Sequence, residues 1–185
     1  MKKLLLLVLA MILAVPALAN TAGDEEDDHQ DPADKVAAST LVRVGDPAPA
    51  FVSGLLGGGE FDLAAQKGKV VLINWFATWC PPCRAEMPHL EKEVWQRFRG
   101  DEGFAMVSVA REESAKEVGP FVVEYKVTWP FALDPKREAY AKYATAYIPR
   151  NVVVDRTGTI IYQSQGFERA DFDAMIEVIA AELDK

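Results

Sequence analysis

The strongest constraint on the fold is a pair of cysteines placed between a strand pattern and a helix pattern. Cys80 and Cys83 are the two cysteines of the chain, and they follow Val70–Phe76, an almost continuous apolar run of strand length. Such a run is typical of a strand buried on both faces. After Cys83, apolar residues recur at steps of three and four, which predicts one buried helix face. These residues are Met87, Leu90, Val94, Trp95 and Phe98. The cysteines therefore open a helix.

Two prolines between the cysteines indicate how that helix begins. Helical geometry is disfavoured before a proline, so we expect Pro82 at the first helical position and Cys80 at the exposed tip. Cys83 then lies in the first turn, within reach of a disulfide to Cys80. The positive end of the helix favours a thiolate, which makes Cys80 the predicted nucleophile. Because Pro81 and Pro82 have no N–H, we expect the pKa of Cys80 to be lowered only moderately, which favours a reductant over a strong oxidant.

The start of the chain has the pattern of a secretory signal peptide. Lys2 and Lys3 precede an apolar stretch at residues 4–15 and an Ala-x-Ala arrangement at residues 17–19. The stretch is short for a membrane span, so cleavage after residue 19 is preferred over an uncleaved anchor. We therefore expect an exported, periplasmic protein. With 28 acidic and 20 basic residues and a net charge of −8, nucleic acid is not an expected partner.

Composition divides the rest of the chain into two parts. Residues 20–40 are acidic and poor in apolar side chains, which predicts a disordered linker. Residues 41–185 are long enough for one domain with a full core.

Within this domain, strand and helix patterns alternate. Short apolar pieces broken by glycines at residues 57–59 predict an N-terminal hairpin or an irregular lead-in, and the later alternation implies parallel strands. The predicted elements are strands at 104–110 and 128–133, helices at 114–125, 134–144 and 169–183, and a hairpin at 151–162. The pattern predicts an α/β fold with a central mixed sheet flanked by helices.

An ordered set of motifs resembles a known family. The motifs are the lead-in Val44-Gly45-Asp46-x-Ala48-Pro49-x-Phe51, the segment Trp79-Cys80-Pro81-Pro82-Cys83, Ile148-Pro149, and Val153-Val154-Asp155-Arg156-Thr157-Gly158. Over residues 44–183 the chain resembles the exported thioredoxin-like thiol-disulfide oxidoreductases of the TlpA, ResA and CcmG type, in the AhpC/TSA-redoxin superfamily. The resemblance implies a thioredoxin-like fold with an N-terminal hairpin extension, and an enzyme without a cofactor.

Glu86 lies three residues after Cys83, on nearly the same helix face. Taken alone, it is a solvated acid that suits the first half of a helix. The resemblance implies more, because members of the ResA type carry a glutamate in C-x-x-C-x-x-E that is linked to thiol proton transfer. Asn74, which we expect to be a hydrogen-bonded core residue, stands where thioredoxin has a buried aspartate. Cys80, Cys83 and Glu86 are therefore the candidate catalytic residues.

The resemblance also implies a substrate-binding surface. Ile148-Pro149 matches the family's cis-proline site, whose loop faces the disulfide and whose backbone before the proline pairs with an extended substrate chain. Trp79 is expected to shield the disulfide and to offer an apolar contact. Arg150 departs from the small or hydroxyl residue common there, and we expect it to place a positive charge at the rim that attracts an acidic partner. Pro88 matches the proline that kinks the family's helix.

Other roles fit the two cysteines less well. A structural disulfide across three residues adds little stability, since stabilisation grows with loop length in the chain-entropy model. Two cysteines and two histidines, with His29 in the linker, make a poor zinc site, so no metal is expected. Two alternatives stay open. One is a peroxiredoxin-like thiol peroxidase, whose P-x-x-x-T-x-x-C context is absent, and the other is a non-enzymatic copper-binding or chaperone-like module.

The favoured function is an exported thiol-disulfide oxidoreductase, acting as a monomeric reductase of protein disulfides. The Cys80 thiolate attacks a substrate disulfide, and Cys83 resolves the mixed disulfide with help from Glu86. By resemblance, the electrons come from a membrane thiol transporter of the DsbD or CcdA type. The resemblance also implies clients such as apocytochrome c in cytochrome c biogenesis.

Overall fold

The computed structural model describes residues 31–185. The predicted signal peptide at residues 1–19 and the first part of the predicted linker lie outside the described residues. Between residues 31 and 185, no helix has both the length and the apolar character needed to cross a membrane.

A five-stranded mixed sheet forms the centre of the domain. The first two strands of the described residues, β1 (Val52–Gly54) and β2 (Glu60–Asp62), lie outside this sheet. The sheet contains β3 (Val70–Phe76), β4 (Phe104–Arg111), β5 (Phe131–Asp134), β6 (Arg150–Val154) and β7 (Ile160–Gln165). The sheet order is β5-β4-β3-β6-β7, with parallel pairing among β3, β4 and β5 and antiparallel pairing from β3 through β6 to β7. Strands β1 and β2 form a separate antiparallel hairpin. The predicted mixed sheet, closing hairpin and N-terminal hairpin are thereby confirmed.

Within residues 31–185, five α-helices accompany the sheet. They are α1 (Pro32–Ala38), α2 (Pro81–His89), α3 (Gln96–Phe98), α4 (Ala115–Tyr125) and α5 (Arg169–Leu183). A π-helical segment, Leu90–Trp95, joins α2 to α3 and begins two residues after Pro88, whose ring removes one backbone N–H from the helical ladder. Ser114 and Glu117 form a capping box at the start of α4. The predicted helices at 114–125 and 169–183 are confirmed.

Strand β3 separates two apolar clusters because successive side chains point to opposite faces. Leu72 and Phe76 face the cluster that is covered by α2, α4 and α5. Ile73 and Trp75 face the second cluster, which the N-terminal lead-in, the β1–β2 hairpin and residues 139–144 cover. All seven residues of β3 are buried, as its continuous apolar pattern predicts.

The predicted helix at residues 134–144 is wrong. The structure has only a short 3₁₀ turn there, Tyr140–Lys142. The buried carboxylate of Asp134 accepts the backbone N–H groups of Ala139 at 3.2 Å and Tyr140 at 2.8 Å. These side-chain bonds replace the backbone pairing of a helix, so the chain stays in turns.

The end of the predicted linker is also different from the expected disorder. Residues 32–38 form α1, which the side chain of Asp31 caps by accepting the N–H of Ala33 at 2.9 Å. After α1, the N–H of Leu41 donates to the carbonyl of Tyr143, and the N–H of Thr145 donates to the carbonyl of Ser39. Composition did not predict this order because the partners lie more than 100 residues further along the chain.

Candidate active site

Cys80 and Cys83 are joined in a disulfide at the N-terminus of α2, with their Cα atoms 5.3 Å apart. Helix α2 begins at Pro81, one residue before the predicted start, and Cys80 is its N-cap. Because Pro81 and Pro82 have no N–H, the first helical donor is the N–H of Cys83, which lies 3.3 Å from Cys80 Sγ. The end of the helix therefore offers this sulfur one N–H.

Cys80 does not lie at an exposed tip, so that prediction is wrong. Its side chain is only 3% exposed, and Cys83 is fully buried. Part of the cover comes from the loop before β6, where the carbonyl oxygen of Ile148 lies 3.6 Å from Cys80 Sγ. This contact joins positions 68 residues apart, which a local pattern of prolines does not reveal.

The peptide bond between Ile148 and Pro149 is cis, as the resemblance implies. Pro149 is buried and Ile148 is half-buried beside the disulfide. Two large side chains in the adjoining segments remain open to solvent, with Trp79 63% exposed and Tyr147 42% exposed. The disulfide is therefore flanked by backbone polar groups and by exposed aromatic surface.

Glu86 is fully buried, one turn after Cys83. Its carboxylate accepts hydrogen bonds from Asn74 Nδ2 at 3.0 Å and Asn151 Nδ2 at 2.5 Å. Burial raises the pKa of Glu86 from 4.5 to about 7, while the hydrogen bonds from Asn151 and Asn74 act in the opposite direction. The solvated surface acid that the helix pattern alone suggests is not what the fold contains.

Asn74 is a buried, hydrogen-bonded residue, as expected, and it belongs to a longer polar row. Its Nδ2 also donates to Asn151 Oδ1 at 2.9 Å, and its Oδ1 accepts from Ser108 Oγ at 2.8 Å. Trp129 Nε1 in turn donates to Ser108 Oγ at 2.8 Å. Sequence reasoning missed Ser108, Trp129 and Asn151. The signal that could have found two of them is a polar residue within each of the apolar strands β4 and β6.

Another buried acid, Glu113, supports the segment that leads into the disulfide. Its carboxylate accepts the backbone N–H of Thr78 at 2.8 Å and the Thr78 hydroxyl at 2.5 Å. Arg84 Nη1 lies 3.4 Å from the carbonyl oxygen of Thr78. Glu113 therefore fixes the backbone two residues before Cys80, a role that its sequence position just after β4 does not indicate.

Arg150 does not lie at the rim, so the prediction that it attracts an acidic partner is wrong. The residue is 4% exposed. Its guanidinium donates to the carbonyls of Ala146 and Tyr147 and to the hydroxyls of Ser39 and Thr40 at distances of 2.7 to 3.1 Å. Arg150 thus ties the cis-proline loop to the segment that follows α1.

Comparison with known proteins places this arrangement among thiol-disulfide oxidoreductases. The Redoxin family model matches residues 43–179. ResA of Bacillus thuringiensis, named a thiol-disulfide oxidoreductase, is 30% identical over 125 residues, which are 68% of this chain and 71% of ResA. YneN of Bacillus subtilis, a thioredoxin-like protein, is 38% identical over 122 residues, covering 64% of this chain and 69% of YneN.

Solved structures give the same result. A solution structure from Bacteroides thetaiotaomicron superposes with a TM-score of 0.77 at 35% identity, covering 80% of this chain and 94% of that chain. A thiol:disulfide interchange protein of the thioredoxin family from Chlorobium tepidum superposes with a TM-score of 0.63 at 28% identity, covering 77% and 98%. The fold is therefore thioredoxin-like.

Proposed function

Because the chain belongs to the redoxin family and is a thiol-disulfide oxidoreductase, we propose that it is an exported reductase of protein disulfides that works through Cys80 and Cys83. The observation that carries this proposal is the single helical N–H at Cys80 Sγ, donated by Cys83. A strong oxidant needs a strongly stabilised reduced form. One N–H stabilises the thiolate less than a full set of helical donors would, which favours reduction of substrates.

In the first step, the Cys80 thiolate attacks one sulfur of a substrate disulfide. A bond forms between Cys80 Sγ and that sulfur, the substrate S–S bond breaks, and the second substrate sulfur leaves as a thiolate that takes a proton from water. In this proposal the carbonyl of Ile148 accepts an N–H from an extended substrate chain, which its distance of 3.6 Å from Cys80 Sγ supports. Trp79 offers exposed apolar surface to the same chain.

In the second step, Cys83 resolves the mixed disulfide. Its thiol gives a proton to the Glu86 carboxylate, and the resulting thiolate attacks Cys80 Sγ. The mixed disulfide breaks, and the substrate sulfur that was bound to Cys80 leaves as a thiolate that takes a proton from water. Glu86 suits this transfer because its pKa of about 7 lies close to that of an ordinary thiol, near 8.5. The substrate gains two electrons and two protons, and the enzyme ends as the Cys80–Cys83 disulfide.

The cycle then requires a dithiol donor that reduces this disulfide. Because the N-terminal pattern indicates export to an oxidising compartment, we propose a membrane thiol transporter of the DsbD or CcdA type as the donor. Apocytochrome c and other secreted proteins with reducible disulfides are the proposed clients. The redox chemistry itself needs only the two cysteines and the buried carboxyl, so we propose that the protein acts as a monomer.

The reduction potential of the cysteine pair tests the proposal. The protein would be equilibrated in dithiol redox buffers, quenched with acid and alkylated, and its mass would report the oxidised fraction of Cys80 and Cys83, the two cysteines of the chain. A potential near or below about −250 mV, in the thioredoxin range, supports a reductase. A potential near about −120 mV, like that of DsbA, would show a disulfide donor and contradict the argument from the single N–H.

A further inference from the structure

A row of polar side chains crosses three strands inside an apolar cluster. In the sheet register, Asn74 of β3 lies beside Ser108 of β4 on one side and Asn151 of β6 on the other. All three are buried, and the neighbouring residues on the same face, such as Leu72 and Phe76, are apolar. Buried polar groups must be paired because leaving one unpaired is costly. The row is therefore expected to have one preferred hydrogen-bonding pattern.

The indole of Trp129 sets the direction of that pattern. An indole N–H can donate and cannot accept. Ser108 Oγ accepts it at 2.8 Å, so the hydroxyl hydrogen of Ser108 is free to donate to Asn74 Oδ1, also at 2.8 Å. With its oxygen held by Ser108, the amide of Asn74 must turn its NH₂ group towards Glu86.

The same pattern continues to the other carboxylate oxygen. Asn74 Nδ2 donates both to Glu86 Oε2 and to Asn151 Oδ1. With its oxygen held by Asn74, Asn151 presents its own NH₂ to Glu86 Oε1. Both oxygens of Glu86 therefore face donors. This arrangement satisfies a carboxylate, whereas a carboxylic acid needs an acceptor for its O–H.

Among the side chains hydrogen-bonded to Glu86, an acceptor for the O–H of the protonated acid becomes available only if one of the two amides flips. If Asn151 turned over alone, its NH₂ would face the NH₂ of Asn74. If Asn74 turned over, its NH₂ would face Ser108, whose hydroxyl hydrogen would lose its acceptor while the indole still occupied the oxygen. Each route leaves a buried group badly paired, and the cost rests on the contact between Trp129 and Ser108.

We propose that Trp129 and Ser108 are positioning residues that lock the amide of Asn74 with its donors towards Glu86 and so favour the carboxylate form of that residue. This deepens the proposed function and rests on it for the role of Glu86 as the proton acceptor of Cys83. This lock, the pair of hydrogen bonds that orients Asn74, keeps Glu86 deprotonated and able to accept a proton. Burial acts in the opposite direction, because it favours the protonated form.

The other groups around Glu86 do not provide this orientation. Asn74 on β3 and Asn151 on β6 do not titrate, and Cys83 lies one turn earlier on α2. Tyr162 on β7 does titrate: burial raises its pKa, a hydrogen bond with Ser164 acts in the opposite direction, and the negative charges of Asp171 and Glu86 add to the rise. Because the rise keeps the phenol neutral at working pH, it adds no charge that competes with the lock.

The test is a titration of the Glu86 side-chain carboxyl carbon by ¹³C NMR in the oxidised, full-length domain, with the signal assigned by its loss in Glu86→Gln. In this state the cysteines do not titrate. We expect a midpoint near 7 in the unaltered protein. In Ser108→Ala and in Trp129→Phe the midpoint should rise by about one unit, since each frees Asn74 to turn over.

Two further variants separate the lock from general loosening of the core. Ser108→Thr keeps the hydroxyl and should restore a midpoint close to that of the unaltered protein. The ring of Phe131 stacks on Trp129 with the ring centroids 5.2 Å apart. Phe131→Leu removes that ring but no side-chain hydrogen bond, so the midpoint of Glu86 should not change in this variant. The proposal is overturned by an unchanged midpoint in Trp129→Phe, even where Ser108→Ala does not fold, or by an equal shift in Phe131→Leu.

A kinetic measurement separates this inference from the proposed function. The pH profile of mixed-disulfide resolution should move with the Glu86 midpoint in Trp129→Phe. If the midpoint of Glu86 shifts but the pH profile of resolution does not, the lock is supported and Glu86 is not the proton acceptor of Cys83. A midpoint that stays fixed while Glu86→Gln alters the profile would support proton transfer and overturn the lock.

Discussion

Replacing Glu86 by glutamine removes a carboxyl group that is fully buried by folding. The pKa of this group is about 7 in the folded protein and about 4.5 in the unfolded chain. Between these two values, the folded protein keeps a proton that the unfolded chain has lost. The free energy of unfolding must therefore fall as the pH rises through this range, and Glu86→Gln must abolish that part of the fall.

The size of the effect follows from the two pKa values. Each unit of difference corresponds to about 1.36 kcal/mol, so the rise from 4.5 to about 7 amounts to roughly 3 kcal/mol, most of it between pH 5 and pH 8. The glutamine amide also meets two donors, Asn74 and Asn151, with only one oxygen. That mismatch lowers stability at every pH and does not change the slope.

Urea denaturation of the oxidised protein at pH 5 and pH 8 measures the effect. The stability difference between the unaltered protein and Glu86→Gln should change by about 2 to 3 kcal/mol between these conditions, in favour of the variant at pH 8. Glu177→Gln, a substitution at an exposed site on α5, is the matched control and should give no such change. A change below about 1 kcal/mol for Glu86→Gln would refute the argument that burial dominates the pKa of this group.

Three further predictions concern the chemistry and the segments that support it. Cys80→Ser should abolish reduction of insulin, whereas Cys83→Ser should accumulate a mixed disulfide that is visible by mass spectrometry; full activity of Cys80→Ser would exclude it as the nucleophile. Glu113→Gln keeps one acceptor for the two donors of Thr78, and we expect it to lower the free energy of unfolding by about 1 to 3 kcal/mol in urea titrations, with no loss if the contact is unimportant. Arg150→Met should raise the KM for a protein disulfide more than it lowers kcat, because it frees the cis-proline loop; an unchanged KM would argue against that role.

The sequence predicts a helix or strand correctly where the signal lies within that helix or strand itself. The continuous apolar run of β3 predicts a strand buried on both faces, and α5 begins and ends where its periodicity indicates. The capping residues Ser114 and Glu117 define α4 within one residue. In each case the signal is local, because hydrophobic period and capping chemistry act over a few neighbouring residues.

The features that the sequence did not predict depend on contacts between distant segments. Cys80 is covered by a loop 68 residues away, and residues 134–144 stay non-helical because Asp134 takes the N–H groups of Ala139 and Tyr140. The guanidinium of Arg150 is buried because carbonyls and hydroxyls satisfy it. No pattern within one segment carries this information, since each pairing is created by the packing of the whole domain.

The contact between Arg150 and the segment after α1 brings the N-terminal side of the domain close to the cis-proline loop. Ser39 and Thr40 bind the residue that follows the cis-proline, and α1, at seven residues, is only about 10 Å long. A polypeptide attached at residue 31 through a short flexible linker would therefore meet the disulfide at an effective concentration in the millimolar range. Fusing a chosen substrate there would convert an encounter between two molecules into one within a single chain, so that its reduction becomes independent of protein concentration.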